Sequence, residues 1–220
     1  HNHNHVHQSS SSGSSSTKNF KTVFILNFAF TLFEIVGGIL TNSIAIISDA
    51  LHDFGDTISI GLAKKKKKYS HKKSDNKYTY GYGRFSLLGA LINAMVLIIG
   101  STFVLANAIP RIIEPQPTNA EGMIIFAIIG VIVNGAAVFK LKNEESMNAR
   151  VMMLHLLEDV LGWIAILAVA IALLFWQTYI LDAILSIVIT LYNRFNVTIN
   201  LKQTIALFLQ ATPEHVQIEM

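Results

Sequence analysis

Two stretches of this 220-residue chain carry the same pair of residues at the same spacing: His52-Asp53-Phe54-Gly55-Asp56 and His155-Leu156-Leu157-Glu158-Asp159. Both read His-x-x-x-Asp. Residues four apart share one face of a helix, so each pair presents an imidazole nitrogen and a carboxylate oxygen to the same side. Two such helices facing each other supply four nitrogen and oxygen ligands, a tetrahedral set that zinc accepts at about 2.0 to 2.2 Å. The spacing therefore predicts His52, Asp56, His155 and Asp159 as ligands of one divalent metal ion. Polar residues also act as hydrogen-bonding glue between membrane helices. A neutral Ser or Asn would do that at lower cost, whereas a carboxylate in an apolar helix calls for a cation.

The elements that must position these residues are apolar. Of the chain, 52% is hydrophobic and only 14% charged, with a mean hydropathy of +0.47, which points to lipid rather than water as the main solvent. Cysteine is absent, so disulfides, thiolate zinc sites and thiol chemistry are excluded and any metal must bind nitrogen and oxygen. The opening residues show no pattern of a cleavable signal peptide, and the first span is expected to direct insertion.

A membrane-spanning helix needs about 20 predominantly apolar residues. Such stretches fall near Phe20 to Leu40, Ser43 to Ala63, Phe85 to Ile109, Met123 to Phe139, Met147 to Phe175 and Tyr179 to Val197, with Asn193, Arg194 and Asn196 interrupting the end of the last. The expected fold is thus an all-α membrane protein, a bundle of six transmembrane helices. Its connections alternate in charge. Lys64 to Lys68, Lys72, Lys73, Lys77 and Arg84 fill the second, Lys140, Lys142 and Arg150 the fourth, and Lys18, Lys21, Arg194 and Lys202 flank the two ends. Of the 17 Lys and Arg, all but Arg111 fall on one side. The positive-inside rule places that side, with both termini, in the cytoplasm. Topology accounts for the net charge of +3, so no nucleic-acid partner is expected. The lysine run could also touch anionic lipid.

Acidic residues inside spans are the anomaly, since each costs roughly 2.5 to 3.5 kcal/mol at the bilayer centre on insertion scales. Glu34 lies in the first span, Asp49, Asp53 and Asp56 in the second, Glu158 and Asp159 in the fifth, and Asp182 near the outer end of the sixth. No lysine or arginine lies deep in any span, so protons or a bound cation must supply the missing positive charge. Asp49, one turn before His52, reads as an access-path carboxylate or substitute ligand. Asp53 and Glu158 point roughly 100° from the neighbouring ligands and read as helix-contact or proton-relay residues. Glu34, Asn27, Asn134 and Asp182 read as inter-helix packing polars.

These residues lie within longer motifs: Asn42-Ser43-Ile44-Ala45, then Ser48-Asp49-Ala50-Leu51-His52-Asp53-Phe54-Gly55-Asp56, then Tyr80-Gly81-Tyr82-Gly83-Arg84, His155 to Gly162, and Leu209-Gln210-Ala211-Thr212-Pro213-Glu214. Together they resemble the cation diffusion facilitator family of zinc and related metal transporters, over about Lys18 to Glu214. The resemblance implies a homodimer that exchanges a cytoplasmic divalent cation for protons by alternating access, with His52, Asp56, His155 and Asp159 as the transport site. Transported Zn2+ and H+, and no resident cofactor, are implied, and the compact loops fit a bacterial inner membrane. The two-His, two-Asp set is similar to the zinc-selective type. Family members follow the sixth span with a cytoplasmic αββα domain, of which this chain holds only the start. The expected organisation is a disordered His/Ser-rich tail over 1–19, a transmembrane domain over 20–198 and the opening of a truncated cytoplasmic domain over 199–220.

His1, His3, His5 and His7 read equally as a tail that gathers zinc or copper loosely and as a passive one. His71 and Asp75 lie among lysines that would repel a cation, and His215 reads as a surface residue. The rival from another class is a membrane-bound metal sensor or inactive dimer partner that binds without transport. No substrate pocket or oxyanion device is visible, so an enzyme is not expected.

Overall fold

The computed structural model describes residues 12–69, 85–142 and 147–209. They form six helices, α1 (Ser12–Thr41), α2 (Ile44–Tyr69), α3 (Phe85–Ile113), α4 (Ala120–Leu141), α5 (Met147–Trp176) and α6 (Ile180–Phe208), with no strand among the described residues. Hydrocarbon offers no water to backbone N–H and C=O groups, so each apolar run closes its own hydrogen bonds as a helix. The protein is a multi-pass integral membrane protein. Five helices hold a stretch long and apolar enough to cross a bilayer: Phe24–Thr41, Leu88–Ile113, Ala120–Leu141, Met152–Trp176 and Ile180–Ala206. The exception is α2, whose acidic residues and lysine run lower its hydropathy. Its 26 residues still extend about 39 Å, and it packs among α1, α3, α5 and α6. Asp49 and Asp53 are turned inward and buried there.

Several boundaries differ from the sequence expectation, including the end of α2 at Tyr69. Helix α1 already begins at Ser12, inside the segment expected to be irregular, because extending a formed helix is far easier than nucleating one. Helix α3 runs through Pro110 to Ile113. Helix α6 continues past residue 198 to Phe208: its asparagines are polar without breaking a helix, and Thr198 and Thr204 bond back to the carbonyls of Arg194 and Asn200. The histidines of residues 1–11, together with His71, Asp75 and His215, lie outside the described residues.

Neighbouring helices close a ring in the order α1, α4, α5, α6, α3, α2, and α2 also reaches across to α6 and α5. One core cluster joins α2 to α4 and α5 through Ala45, Ile46, Met123, Ala127, Trp163, Ile166, Ala170 and Leu173. A second joins α2 to α3 through Ile44, Val104 and Ala108. Trp163 is fully buried against the backbone of α4, where a Cβ on Gly130 would stand only 2.2 Å from its Cδ2. Large side chains such as Ile99, Phe103, Ile132 and Leu161 face outward, as lipid contact requires.

The outer end of the bundle is fixed by polar bonds. Asn42 turns the chain between α1 and α2 with φ of 55°, a left-handed conformation that asparagine tolerates. Arg111, the basic residue set apart on that side, donates to both Asn42 O and Asn42 Oδ1 at 2.8 Å. Asp182 of α6 caps α2, accepting from Ser43 Oγ at 2.6 Å, Ile44 N at 2.8 Å and Ala45 N at 3.3 Å. A carboxylate suits the partial positive charge of a helix N-terminus.

Candidate metal centre

Helix α2 enters the interior with its outer end capped by α6 and its middle bonded to α1. Asn27 donates to Thr57 Oγ1 at 2.9 Å and to Asp53 O at 3.5 Å. These ties set the rotation of α2, and His52 and Asp56 thereby face α5. Across from them stand His155 and Asp159.

Asp56 Oδ2 lies 2.8 Å from His155 Nε2, a contact that spans the two helices. Within each helix the pairs are looser, with His52 Nε2 3.8 Å from Asp56 Oδ2 and His155 Nε2 3.9 Å from Asp159 Oδ2. The two imidazoles are edge to face, with centroids 5.8 Å apart. One ligand atom each from His52, His155 and Asp159 lies within 4.8 Å of the others. Tetrahedral zinc with bonds of about 2.0 to 2.1 Å would hold its ligand atoms about 3.3 Å apart. The cluster is therefore slightly wider than a bound site, and Asp56 rests against His155 instead of completing the set. Side-chain rotation would close a gap of that size. His52 Nδ1 is buried without a hydrogen-bond partner among the described residues, so no bond from that nitrogen orients the ring there.

The remaining acidic residues divide into two groups. Glu34, Asp49 and Asp53 are all buried, and Glu34 faces Asp53, with both of its own oxygens lacking a hydrogen-bond donor. Asp49 Oδ1 lies over Gly162 of α5, where a Cβ would meet it at 3.7 Å. Glu158 is exposed and looks into a cavity of about 500 Å³ that also reaches His52, Asp56 and His155. Asp159 is buried behind them. Asn27 and Asp182 bond between helices as expected. Asn134 corrects the expectation: its amide donates to Gly130 O at 3.1 Å within α4, one turn back, because a buried carboxamide with no facing partner satisfies itself on its own helix. Asn93 of α3 was not foreseen. Its Oδ1 is buried without a partner on the wall of the same cavity, and a single asparagine in an apolar run gives no spacing signal.

Residues 21–206 match the family model of the cation efflux transmembrane domain. The chain belongs to the cation efflux, or cation diffusion facilitator, family. Among curated members it is 32% identical over 207 residues to the zinc transporter ZitB of Pectobacterium atrosepticum, covering 93% of this chain and 65% of that protein. It is similar to a cadmium, cobalt and zinc/H(+)-K(+) antiporter of Bacillus subtilis, with 32% identity over 89% of this chain and 64% of the relative. The metal cation efflux system protein CzcD of Cupriavidus metallidurans is 30% identical over 91% and 64%, respectively. The chain thus spans a little under two thirds of the length of these family members. Membership accounts for the all-helical bundle, since the matched segment is the membrane domain and runs from α1 to near the end of α6.

Proposed function

We propose that this protein carries a divalent cation, zinc foremost, out of the cytoplasm across a bacterial inner membrane, passing it through His52, Asp56, His155 and Asp159. The observation that carries this reading is the 2.8 Å approach of His155 Nε2 to Asp56 Oδ2, which brings the two His-x-x-x-Asp pairs from separate helices into one space. The relatives' own descriptions, a zinc transporter and a cadmium, cobalt and zinc antiporter, support the same reading.

Exchange for protons follows from the donor set. Imidazole and carboxylate bind metal only when deprotonated, so loading a cation releases protons and re-protonation expels it. A site open to the cytoplasm would load metal there. The same site turned outward would take up protons and let the cation go. Nitrogen and oxygen ligands release zinc readily, whereas thiolates would retain it. We further propose that two copies associate as a homodimer, as the family resemblance implies; cross-linking in native membranes tests that point separately.

Zinc flux into proteoliposomes under an imposed pH gradient tests the transport reading. Flux is expected in the unmodified protein and its loss in Asp56→Ala plus Asp159→Ala. An unchanged rate in that double variant would remove the assignment. Zinc binding with no flux would instead identify a membrane-bound sensor or inactive partner.

A further inference from the structure

The cavity that reaches the quartet has a regular polar wall on α6. Asn193, Asn196, Asn200 and Thr204 line it at steps of three, four and four residues, and Val197 and Leu201 fall on the same stripe. At 3.6 residues per turn this is a single face of α6. It leads from the basic end of the bundle towards His52 and Asp56.

Two other helices add oxygen to that wall. Asn93 of α3 places its unpartnered Oδ1 where a Cβ on Gly55 would come within 3.2 Å, and Gly55 immediately precedes Asp56. Glu158 of α5 contributes a carboxylate one residue before Asp159. No lysine or arginine lines the cavity among the described residues. Arg194, within the asparagine stretch, is not on that wall: it donates to Thr102 Oγ1 at 3.1 Å and borders a smaller adjoining space beside His52 and Asn193.

Inter-helix glue is the plain explanation for asparagines in a membrane helix. Asn27 serves in that way. The side chains of Asn193, Asn196 and Asn200, by contrast, take part in no hydrogen bond among the described residues, and they face open space of about 500 Å³. With about 30 Å³ per water, that volume has room for a cation and much of its hydration shell.

We propose that Asn93, Asn193, Asn196 and Asn200, together with Glu158, form a waiting position on the cytoplasmic side of the quartet for a partly hydrated divalent cation. Carboxamide and carboxylate oxygens are hard donors that suit a cation retaining some of its water. Neutral amides hold it weakly enough to pass it on. Among the described residues, imidazole ligands appear only at His52 and His155, so discrimination in favour of zinc belongs to the quartet, and the waiting position accepts several divalent ions.

This inference rests on the transport reading, and zinc-dependent flux of the whole chain in proteoliposomes tests both. Asn196→Leu plus Asn200→Leu should raise the zinc concentration giving half-maximal flux by roughly three- to tenfold, with a smaller change in maximal rate. Asn196→Asp preserves size and adds charge, and should lower that concentration by about twofold or more. A merely structural role would make leucine and aspartate alike reduce the maximal rate. If the leucine variant does not fold, Asn196→Asp and Glu158→Gln decide, the first lowering and the second raising the half-maximal concentration. Half-maximal concentrations unmoved in variants that still carry zinc would overturn the waiting position and leave the quartet standing. An unmodified protein that moves no zinc would end both readings.

Discussion

His155 of α5 and Asp56 of α2 meet at 2.8 Å, although they lie 99 positions apart in the chain. Packing between α2 and α5 is otherwise slight, and the shared core above it is built largely from α4 and α5. The contact therefore bridges two helices that otherwise touch little.

Asp56→Asn keeps the shape of the side chain and removes its charge. Loss of groups that merely support metal ligands costs about 10- to 100-fold in affinity, and loss of a ligand should reach at least the upper end of that range. Zinc binding by equilibrium dialysis and initial flux in proteoliposomes are expected to fall together by about 100-fold. Groups acting as a unit are strongly non-additive. Asp56→Asn combined with His155→Ala should accordingly lose little more than either change alone.

Acidity should weaken zinc binding, and the sign follows from competition. Protons and zinc seek the same imidazole nitrogens and carboxylate oxygens, so each ligand proton displaced on binding makes the slope of log Kd against pH more negative by one. The apparent Kd is expected to rise as pH falls from about 7.5 to about 5.5, by up to roughly two decades per unit where two ligand protons compete. Isothermal titration in buffers of different ionisation enthalpy measures the protons released. A pH-independent Kd with no proton release would contradict exchange at this site.

Asp182→Ala should destabilise the bundle without touching the quartet. It strips the partner from Ser43 Oγ and the backbone N–H groups of Ile44 and Ala45, all buried. Leaving buried donors unpaired costs about 1 to 3 kcal/mol. Thermal unfolding in detergent should show a lower midpoint for alanine and an intermediate one for Asp182→Asn, which retains one acceptor oxygen.

Much of this was legible from residue spacing. Apolar runs located all six helices because hydrocarbon leaves a spanning chain no alternative, and the repeated His-x-x-x-Asp placed four side chains on two helix faces. That the faces meet depends on packing that no local pattern encodes. The cap of Asp182 on α2 joins residues 138 positions apart, and Asn93 becomes part of the site only because Gly55 lets α3 approach. The extension of α6 to Phe208 is hidden in the sequence for a different reason. Its asparagines interrupt hydropathy, which marks where lipid ends, but they do not interrupt the helix. The same asparagines gain meaning once their common face is seen to border a cavity.

Gly130→Ala provides a test of the packing that presents α5 to α2. A Cβ at this position would lie 2.2 Å from Trp163 Cδ2 and 2.4 Å from Cε2, well inside contact distance, so α4 and α5 would have to separate. Overpacking of this kind costs about 1 to 3 kcal/mol. Trp163→Ala, which leaves a cavity in the fully buried cluster, should cost about 3 to 5 kcal/mol. The two residues occupy the same space, so their effects should not add: the double variant is expected to be more stable than the sum of the single losses predicts. His155 lies two helical turns from Trp163, about 12 Å along α5. Gly130→Ala should therefore also weaken zinc binding while leaving every ligand in place. A variant that lost stability yet bound zinc with unchanged affinity would show that the register of α5 against α2 does not depend on its seat against α4.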